Sequence, residues 1–115
     1  MIKRNGSIDV QVVENLRGGE GSLTIENLLT PDELYNKGRL FAKMSLEPGV
    51  SVGYHVHEGE MESYHILSGE AEYGDNGKTV KLSAGDTTLT LNGEGHSIKN
   101  IGDTTLEFIA LIVFD

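Results

Sequence analysis

The chain of 115 residues contains no cysteine and no tryptophan, and only two prolines. Without cysteine it has no disulfides, no thiol nucleophile, no CxxC redox motif and no thiolate zinc site. A chain of this length buries a hydrophobic core without covalent cross-links. We therefore expect a single domain that spans residues 1–115.

Basic residues are also scarce, with 9 Lys and Arg against 18 Asp and Glu and a net charge of −9. Nucleic acids and anionic membranes both require a basic surface, so we expect neither as a partner. The most apolar stretch, residues 106–114, is about half of the roughly 20 residues that span a bilayer. No apolar segment follows Lys3 and Arg4, so no signal peptide is evident and we expect a cytoplasmic protein.

Glycine, in contrast, is abundant, with 15 residues. Short segments of alternating polarity lie between turns rich in Gly, Asn, Ser and Asp, and this pattern predicts β-strands. The predicted strands are residues 10–13, 23–29, 39–46, 51–57, 62–67, 70–74, 78–82, 87–91, 96–101 and 106–114. Asn76-Gly77 is typical of a tight hairpin turn. So many short strands predict an all-β sandwich or barrel.

One segment carries a helical signal. Thr30 and Glu33 have the spacing of a capping box, and Pro31 occupies the first helical position. Gly38 is a helix terminator. We expect one short helix of about two turns between these residues.

Two of the four histidines lie on one predicted strand. His55 and His57 are separated by one residue, so they share a face of the strand, with Cα atoms roughly 6.6 Å apart. This register places Val52 and Tyr54 on the opposite face. The two imidazoles are able to converge on one ion, although an HxH pair taken alone is as typical of a solvated or hydrogen-bonded pair.

Two further side chains extend this pattern. Glu62 begins the next predicted strand, and His96 begins a later strand after a glycine-rich turn. Taken alone, Glu62 would be a solvent-facing carboxylate. Together with His55 and His57, these residues form a set of nitrogen and oxygen donors that suits Mn, Fe, Co, Ni or Zn.

The spacing of these residues resembles that of a known family. The segment from Gly49 to Gly69 reads G-(x)5-H-x-H-(x)4-E-(x)6-G, which is similar to the first motif of the cupin superfamily. The segment from Gly85 to Asn100 reads G-(x)5-L-x-G-(x)2-H-(x)3-N and resembles the second motif, with Leu91 where the family usually has Pro. On these motifs the chain is identified as a small, single-domain microbial cupin.

The resemblance implies a double-stranded β-helix, which is the cupin jelly-roll barrel. Residues 39–115 would form the barrel, and strands within residues 1–38 would flank it. It also implies that His55, His57, Glu62 and His96 hold one divalent transition metal per chain, with Mn or Fe preferred and Zn, Ni or Co as alternatives. Four protein ligands leave two positions of a six-coordinate ion for water or substrate.

Other residues of the same strands are weaker candidates. His65 has the opposite parity to Glu62, so we expect it to point outward and not to bind metal. Tyr64 and Met44 share faces with inward positions. Core packing is the simpler interpretation of both, and Tyr64 is also a candidate catalytic residue.

Three charged residues lie in predicted loops. Glu58 and Glu60 stand between His57 and Glu62, and each is either a solvated loop residue or a proton-transfer group at the mouth of the site. We take Glu60 as the second candidate catalytic residue. Arg17, in a glycine-rich loop, is either a solvated charge or a contact for an anionic ligand.

Cupin barrels carry many activities, so the fold does not decide the function. The resemblance implies a metalloenzyme of decarboxylase, isomerase or dioxygenase type, whose metal would act as a Lewis acid on a small oxygen-rich molecule, namely a carboxylate, a sugar derivative or an enol. A non-catalytic, metal-dependent protein that binds or senses a small molecule is the first alternative. A metal-free structural barrel is the second.

The last predicted strand, residues 106–114, is apolar on both faces. A strand with one face in water would alternate with polar residues, so another element must cover the outer face. The N-terminal strands would cover part of it and a second copy of the chain the rest. We therefore expect a symmetric homodimer.

Overall fold

The computed structural model describes all of residues 1–115 and contains ten β-strands. The strands are β1 Asp9–Glu14, β2 Ser22–Leu29, β3 Gly38–Leu46, β4 Ser51–Val56, β5 Glu60–Ser68, β6 Glu70–Asp75, β7 Lys78–Ser83, β8 Thr87–Thr90, β9 Gly95–Asn100 and β10 Leu106–Phe114. One 3-10 helix, Leu16–Gly18, connects β1 to β2. No helix has the length and apolar character required to cross a membrane.

The strands form two antiparallel sheets whose inner faces enclose one hydrophobic core. The six-stranded sheet has the order β1-β2-β3-β10-β5-β8, and the four-stranded sheet has the order β4-β9-β6-β7. Both sheets contribute large core residues, which include Leu23, Ile66 and Phe108 from the first and Tyr73 and Ile98 from the second. Two sheets packed face to face in this way form a jelly roll, which confirms the predicted fold class.

All ten strand predictions are confirmed, with bounds that differ by at most two residues. These predictions rest on the alternation of polarity within the strands and on the turn residues between them. Asn76 and Gly77 have φ of 51° and 85°, which is the pair of positive values that a type I′ hairpin turn needs.

The predicted helix after Thr30 is wrong. Its capping box is present, because the Thr30 N–H donates to Glu33 Oε1 at 2.8 Å and the Glu33 N–H donates to Thr30 Oγ1 at 3.3 Å. However, Tyr35 and Asn36 both have a φ of 54°, which is left-handed. The chain therefore forms consecutive turns here and never continues into a helix.

The predicted faces of β4 are correct only in part. Val52 pairs with Ile98, and His55 pairs with His96. An advance of three residues along β4 therefore matches an advance of only two residues along β9. The extra residue makes a β-bulge, which shifts the side-chain alternation by one. As a result Val52 is buried on the same side as His55, whereas Tyr54 is exposed. The prediction that Val52 and His55 face opposite sides is therefore wrong.

The prediction that the N-terminal strands cover part of the outer face of β10 is wrong. β2 pairs with β3, so β1 and β2 extend the six-stranded sheet at its edge. Ile109, Leu111 and Val113, which point outward from β10, remain half-buried.

Candidate metal centre

The structure brings together the four side chains that the motifs indicate. His55 lies on β4, Glu62 on β5 and His96 on β9, and His57 directly follows β4. Their ligand atoms all lie within 4.8 Å of one another. His57, Glu62 and His96 are buried, and His55 is half-buried. This cluster could hold one metal ion.

The distances between the donor atoms fit such an ion. His57 Nε2 lies 2.9 Å from Glu62 Oε1 and 3.0 Å from His96 Nε2. His96 Nε2 lies 2.9 Å from Glu62 Oε1 and 3.1 Å from His55 Nε2. Adjacent ligands of an octahedral ion with bonds of roughly 2.1 Å lie about 3.0 Å apart, whereas tetrahedral ligands lie about 3.4 Å apart. These four of the six separations match the octahedral spacing, whereas the separation of His55 Nε2 from Glu62 Oε1 is wider at 3.8 Å.

Two of the imidazoles are oriented by neutral oxygens. The Nδ1 atom of His55 lies 2.8 Å from the Gly53 carbonyl oxygen, to which its N–H donates. The Nδ1 atom of His96 lies 2.7 Å from the Tyr73 hydroxyl and 3.0 Å from the Thr90 hydroxyl. A histidine that donates Nδ1–H keeps the lone pair of Nε2 free for a metal.

The third imidazole is oriented by a carboxylate. The Nδ1 atom of His57 lies 2.6 Å from Glu60 Oε2. Arg39 in turn donates to both oxygens of Glu60, from Nε and from Nη2, each at 2.8 Å. Glu60 is only 8% exposed, so its interpretation as a solvated loop residue is wrong. Arg39 and His57 both bind its oxygens, whereas Glu58 is exposed.

The electrostatics of the cluster favour a bound cation. Burial acts to raise the pKa of Glu62, but its interactions with His55, His57 and His96 outweigh burial and hold this pKa well below its usual value. The hydrogen bond to Glu62 raises the pKa of His57, and burial lowers the pKa of His96. An ionised carboxylate therefore lies among three imidazoles.

A cavity of about 160 Å³ opens beside the cluster. His55, His57 and Glu62 line it, together with Arg17 and Arg39 and an apolar wall. A larger cleft of about 580 Å³ lies elsewhere on the surface and contacts none of the four cluster residues. The smaller cavity is therefore the one that serves this site.

Tyr64 and Met44 also line this cavity, and both are buried, as expected from their inward faces. Burial raises the pKa of the Tyr64 hydroxyl well above its usual value, and the charge of Glu62 adds to the increase. The Tyr64 hydroxyl therefore keeps its proton at neutral pH.

His65 lies outside the cluster. It is exposed, and its Nδ1 atom lies 2.7 Å from the Thr87 hydroxyl on β8. This confirms the outward direction that its parity predicts.

Comparisons with known proteins agree with this fold. The family model of the cupin domain matches residues 42–114. A Thermotoga maritima protein named oxalate-binding protein is 50% identical over 113 residues, which cover 98% of this chain and 93% of that protein. A crystal structure of a predicted oxalate decarboxylase from Thermotoga maritima has a TM-score of 0.96 and 49% identity, with 100% of both chains covered. KdgF from Halomonas sp. shares the fold alone, with a TM-score of 0.73, 19% identity and coverage of 97% and 91%. The chain belongs to the cupin family.

Proposed function

We propose that His55, His57, Glu62 and His96 bind one divalent transition metal, Mn or Fe by preference, and that a small carboxylate binds at this metal. The observation that carries the proposal is a cluster of three imidazoles and one carboxylate that opens into a cavity with two arginines. When bound, the ion would supply a Lewis acid for oxygen ligands. Oxalate is the first carboxylate to test, because a relative with 50% identity is named for binding it.

The size and polarity of the cavity favour a carboxylate over a sugar derivative. About 160 Å³ corresponds to roughly five water molecules at about 30 Å³ each. A dicarboxylate with few carbon atoms fits this volume with room to spare, whereas a sugar ring with its substituents would fill it. The donors in the wall are the guanidinium groups and the Tyr64 hydroxyl, which match carboxylate oxygens.

The protein either converts the bound carboxylate chemically or only binds it. A metalloenzyme of decarboxylase, isomerase or dioxygenase type is supported by the Thermotoga maritima structure, which is described as a predicted oxalate decarboxylase. Tyr64 is then the candidate catalytic residue, because Glu60 is bound by Arg39 and His57. Non-catalytic binding or sensing is supported by the name oxalate-binding protein.

The test begins with titration of metal-free protein with Mn²⁺, followed by calorimetric titration of the loaded protein with oxalate. Because His96 contacts the other three cluster residues, we expect His96→Ala to weaken Mn²⁺ binding by at least roughly 10–100-fold. An unchanged Mn²⁺ affinity in this variant would contradict the metal site. No binding of oxalate or malonate by the loaded wild type would contradict the carboxylate. Release of carbon dioxide and formate, or uptake of oxygen, distinguishes conversion from binding.

The outer face of the six-stranded sheet supports the homodimer as a further proposal. Leu111 lies between Phe41 on β3 and Ser63 on β5, and Val113 lies beside Met61. A second copy would cover these half-exposed apolar side chains. We expect sedimentation to show a dimer and Leu111→Glu to dissociate it. A wild type that sediments only as the 12.5 kDa monomer would contradict the proposal.

Two broader expectations also remain predictions. The first is that residues 1–115 form one cooperative domain, which a single unfolding transition in urea would support. The second is a cytoplasmic location, which cell fractionation tests.

A further inference from the structure

The two arginines of the cavity differ in what holds them. Arg39 is bound to both oxygens of Glu60. The side chain of Arg17 makes no ion pair and no side-chain hydrogen bond, although the chain has 18 acidic residues. Arg17 nevertheless lines the same cavity as three of the four cluster residues. An unpaired guanidinium in the wall of a cavity is available to an anionic ligand.

The backbone at Arg17 adopts a conformation that residues with a Cβ atom rarely take. Arg17 lies in the 3-10 helix between β1 and β2, with φ 55° and ψ 30°, and Asn15 two residues earlier has a φ of 51°. Such left-handed residues persist only where their surroundings hold them, and they cluster at functional sites. The position of Arg17 is thus imposed by contacts and is not that of a loose loop.

Those contacts are with β4, the strand that carries His55. A Cβ atom on Gly53 would lie 2.0 Å from the Arg17 carbonyl oxygen, and one on Gly19 would lie 2.2 Å from the Ser51 carbonyl oxygen. Two glycines therefore let the backbone of the turn lie directly on β4. Gly53 also accepts the hydrogen bond from His55 Nδ1. One close contact between backbones therefore positions both Arg17 and a predicted metal ligand.

We infer that Arg17 is the specificity-determining residue of the cavity, where it binds the oxygens of a dicarboxylate that the metal does not hold. This inference deepens the proposed function and rests on it. A guanidinium presents paired N–H groups that match the two oxygens of a carboxylate, and its charge favours a dianion. Arg17 is exposed in the free protein, so a bound dicarboxylate would replace water at its guanidinium.

The test compares equilibrium binding of oxalate to Mn²⁺-loaded wild type, Arg17→Gln and Arg17→Lys. We expect Arg17→Gln to weaken oxalate binding roughly 10–100-fold, which is the contribution of a hydrogen bond to a charged group. Arg17→Lys, which keeps the charge but not the paired donors, should be intermediate. Arg4→Gln is the matched control, because Arg4 is exposed and its substitution makes the same change in net charge. Mn²⁺ affinity and thermal stability should be unchanged in all variants.

The outcomes separate this inference from the proposed function. If loaded wild type binds oxalate and Arg17→Gln binds it equally well, the role of Arg17 is refuted while the carboxylate site stands. If loaded wild type binds neither oxalate nor malonate, the proposed function fails and the inference fails with it. If Arg4→Gln weakens oxalate binding as much as Arg17→Gln, the effect is one of net charge, and the role of Arg17 is likewise refuted.

Discussion

His57 and His96 occupy equivalent places in the cluster but are held by different chemistry. Their Nε2 atoms lie 3.0 Å apart, and each lies 2.9 Å from Glu62 Oε1. His57 has an ionised partner, Glu60, and its pKa is raised, chiefly by the hydrogen bond to Glu62. The Nδ1 atom of His96 has only hydroxyl partners, and burial lowers the pKa of His96.

Access to water explains the difference. Behind His57 lies Arg39, whose side chain is 41% exposed, so the ion pair with Glu60 remains partly hydrated. His96 is 0% exposed, and an ionic partner there would lose its hydration entirely. Neutral hydroxyls orient the ring without that cost. Of these two histidines, the one whose partner is reached by water therefore has an ionic partner, and the one whose partner is buried has neutral partners.

The largest effect should come from removing the ionic partner. Glu60→Ala leaves His57 Nδ1 without an acceptor and Arg39 without its ion pair. We expect Mn²⁺ affinity to fall roughly 10–100-fold. The free energy of unfolding should fall by about 1–3 kcal/mol, because partly buried donors lose their partner. Titration with Mn²⁺ and unfolding in urea measure the two effects.

Glu58→Ala is the control for this variant, because it removes an exposed carboxylate two residues away. It should leave both quantities unchanged. If Glu60→Ala binds Mn²⁺ as tightly as Glu58→Ala does, the ionic partner does not orient His57.

A smaller effect is expected at the neutral partner. Tyr73→Phe removes one hydroxyl from His96, but the Thr90 hydroxyl still lies 3.0 Å from Nδ1. One neutral hydrogen bond corresponds to about 0.5–1.5 kcal/mol, so Mn²⁺ affinity should fall about 2–10-fold. Tyr35→Phe, at an exposed tyrosine, is the control. If Tyr73→Phe lost more Mn²⁺ affinity than Glu60→Ala, the neutral partner would contribute more to metal binding than the ionic partner.

Local signals were sufficient for most of the fold. Alternating polarity and turn residues predicted all ten strands, because both act over a few residues. The capping box at Thr30 led to a wrong prediction because it specifies only the first turn of a helix. The left-handed conformations of Tyr35 and Asn36 prevent a second turn. The bulge in β4 has no local signal. It is visible only in the pairing with β9, which brings together residues about 40 positions apart.

For the site, the motif spacing predicted the four cluster residues but not what surrounds them. Arg39 and Glu60 are 21 residues apart and meet because β3 and β5 both pair with β10. One signal in the sequence indicated that Glu60 faces the site. Glu60 has the same parity as Glu62 if β5 begins at residue 60. The place of Arg17 could not be predicted, because it depends on the contact of Gly53 with a distant turn.

The smallest effect is expected at His65, which tests what makes a histidine part of the site. Its Nδ1 atom is 2.7 Å from the Thr87 hydroxyl, so its partner is of the same neutral kind as those of His96. It is exposed, however, and alternation along β5 directs it away from Glu62. We expect His65→Gln to change Mn²⁺ affinity less than about twofold and stability by less than about 0.5 kcal/mol.

The comparison for His65→Gln is His57→Gln, which should lose at least roughly tenfold in Mn²⁺ affinity because it removes a cluster nitrogen. Both variants make the same chemical change, and they differ only in the side of the barrel wall on which the ring lies. Equal losses in the two variants would mean that the outward direction of His65 is not maintained in solution. If only His57→Gln loses Mn²⁺ affinity, a hydroxyl partner is not sufficient to make a histidine a metal ligand. Burial and the direction of the side chain on its strand then decide which histidine binds the metal.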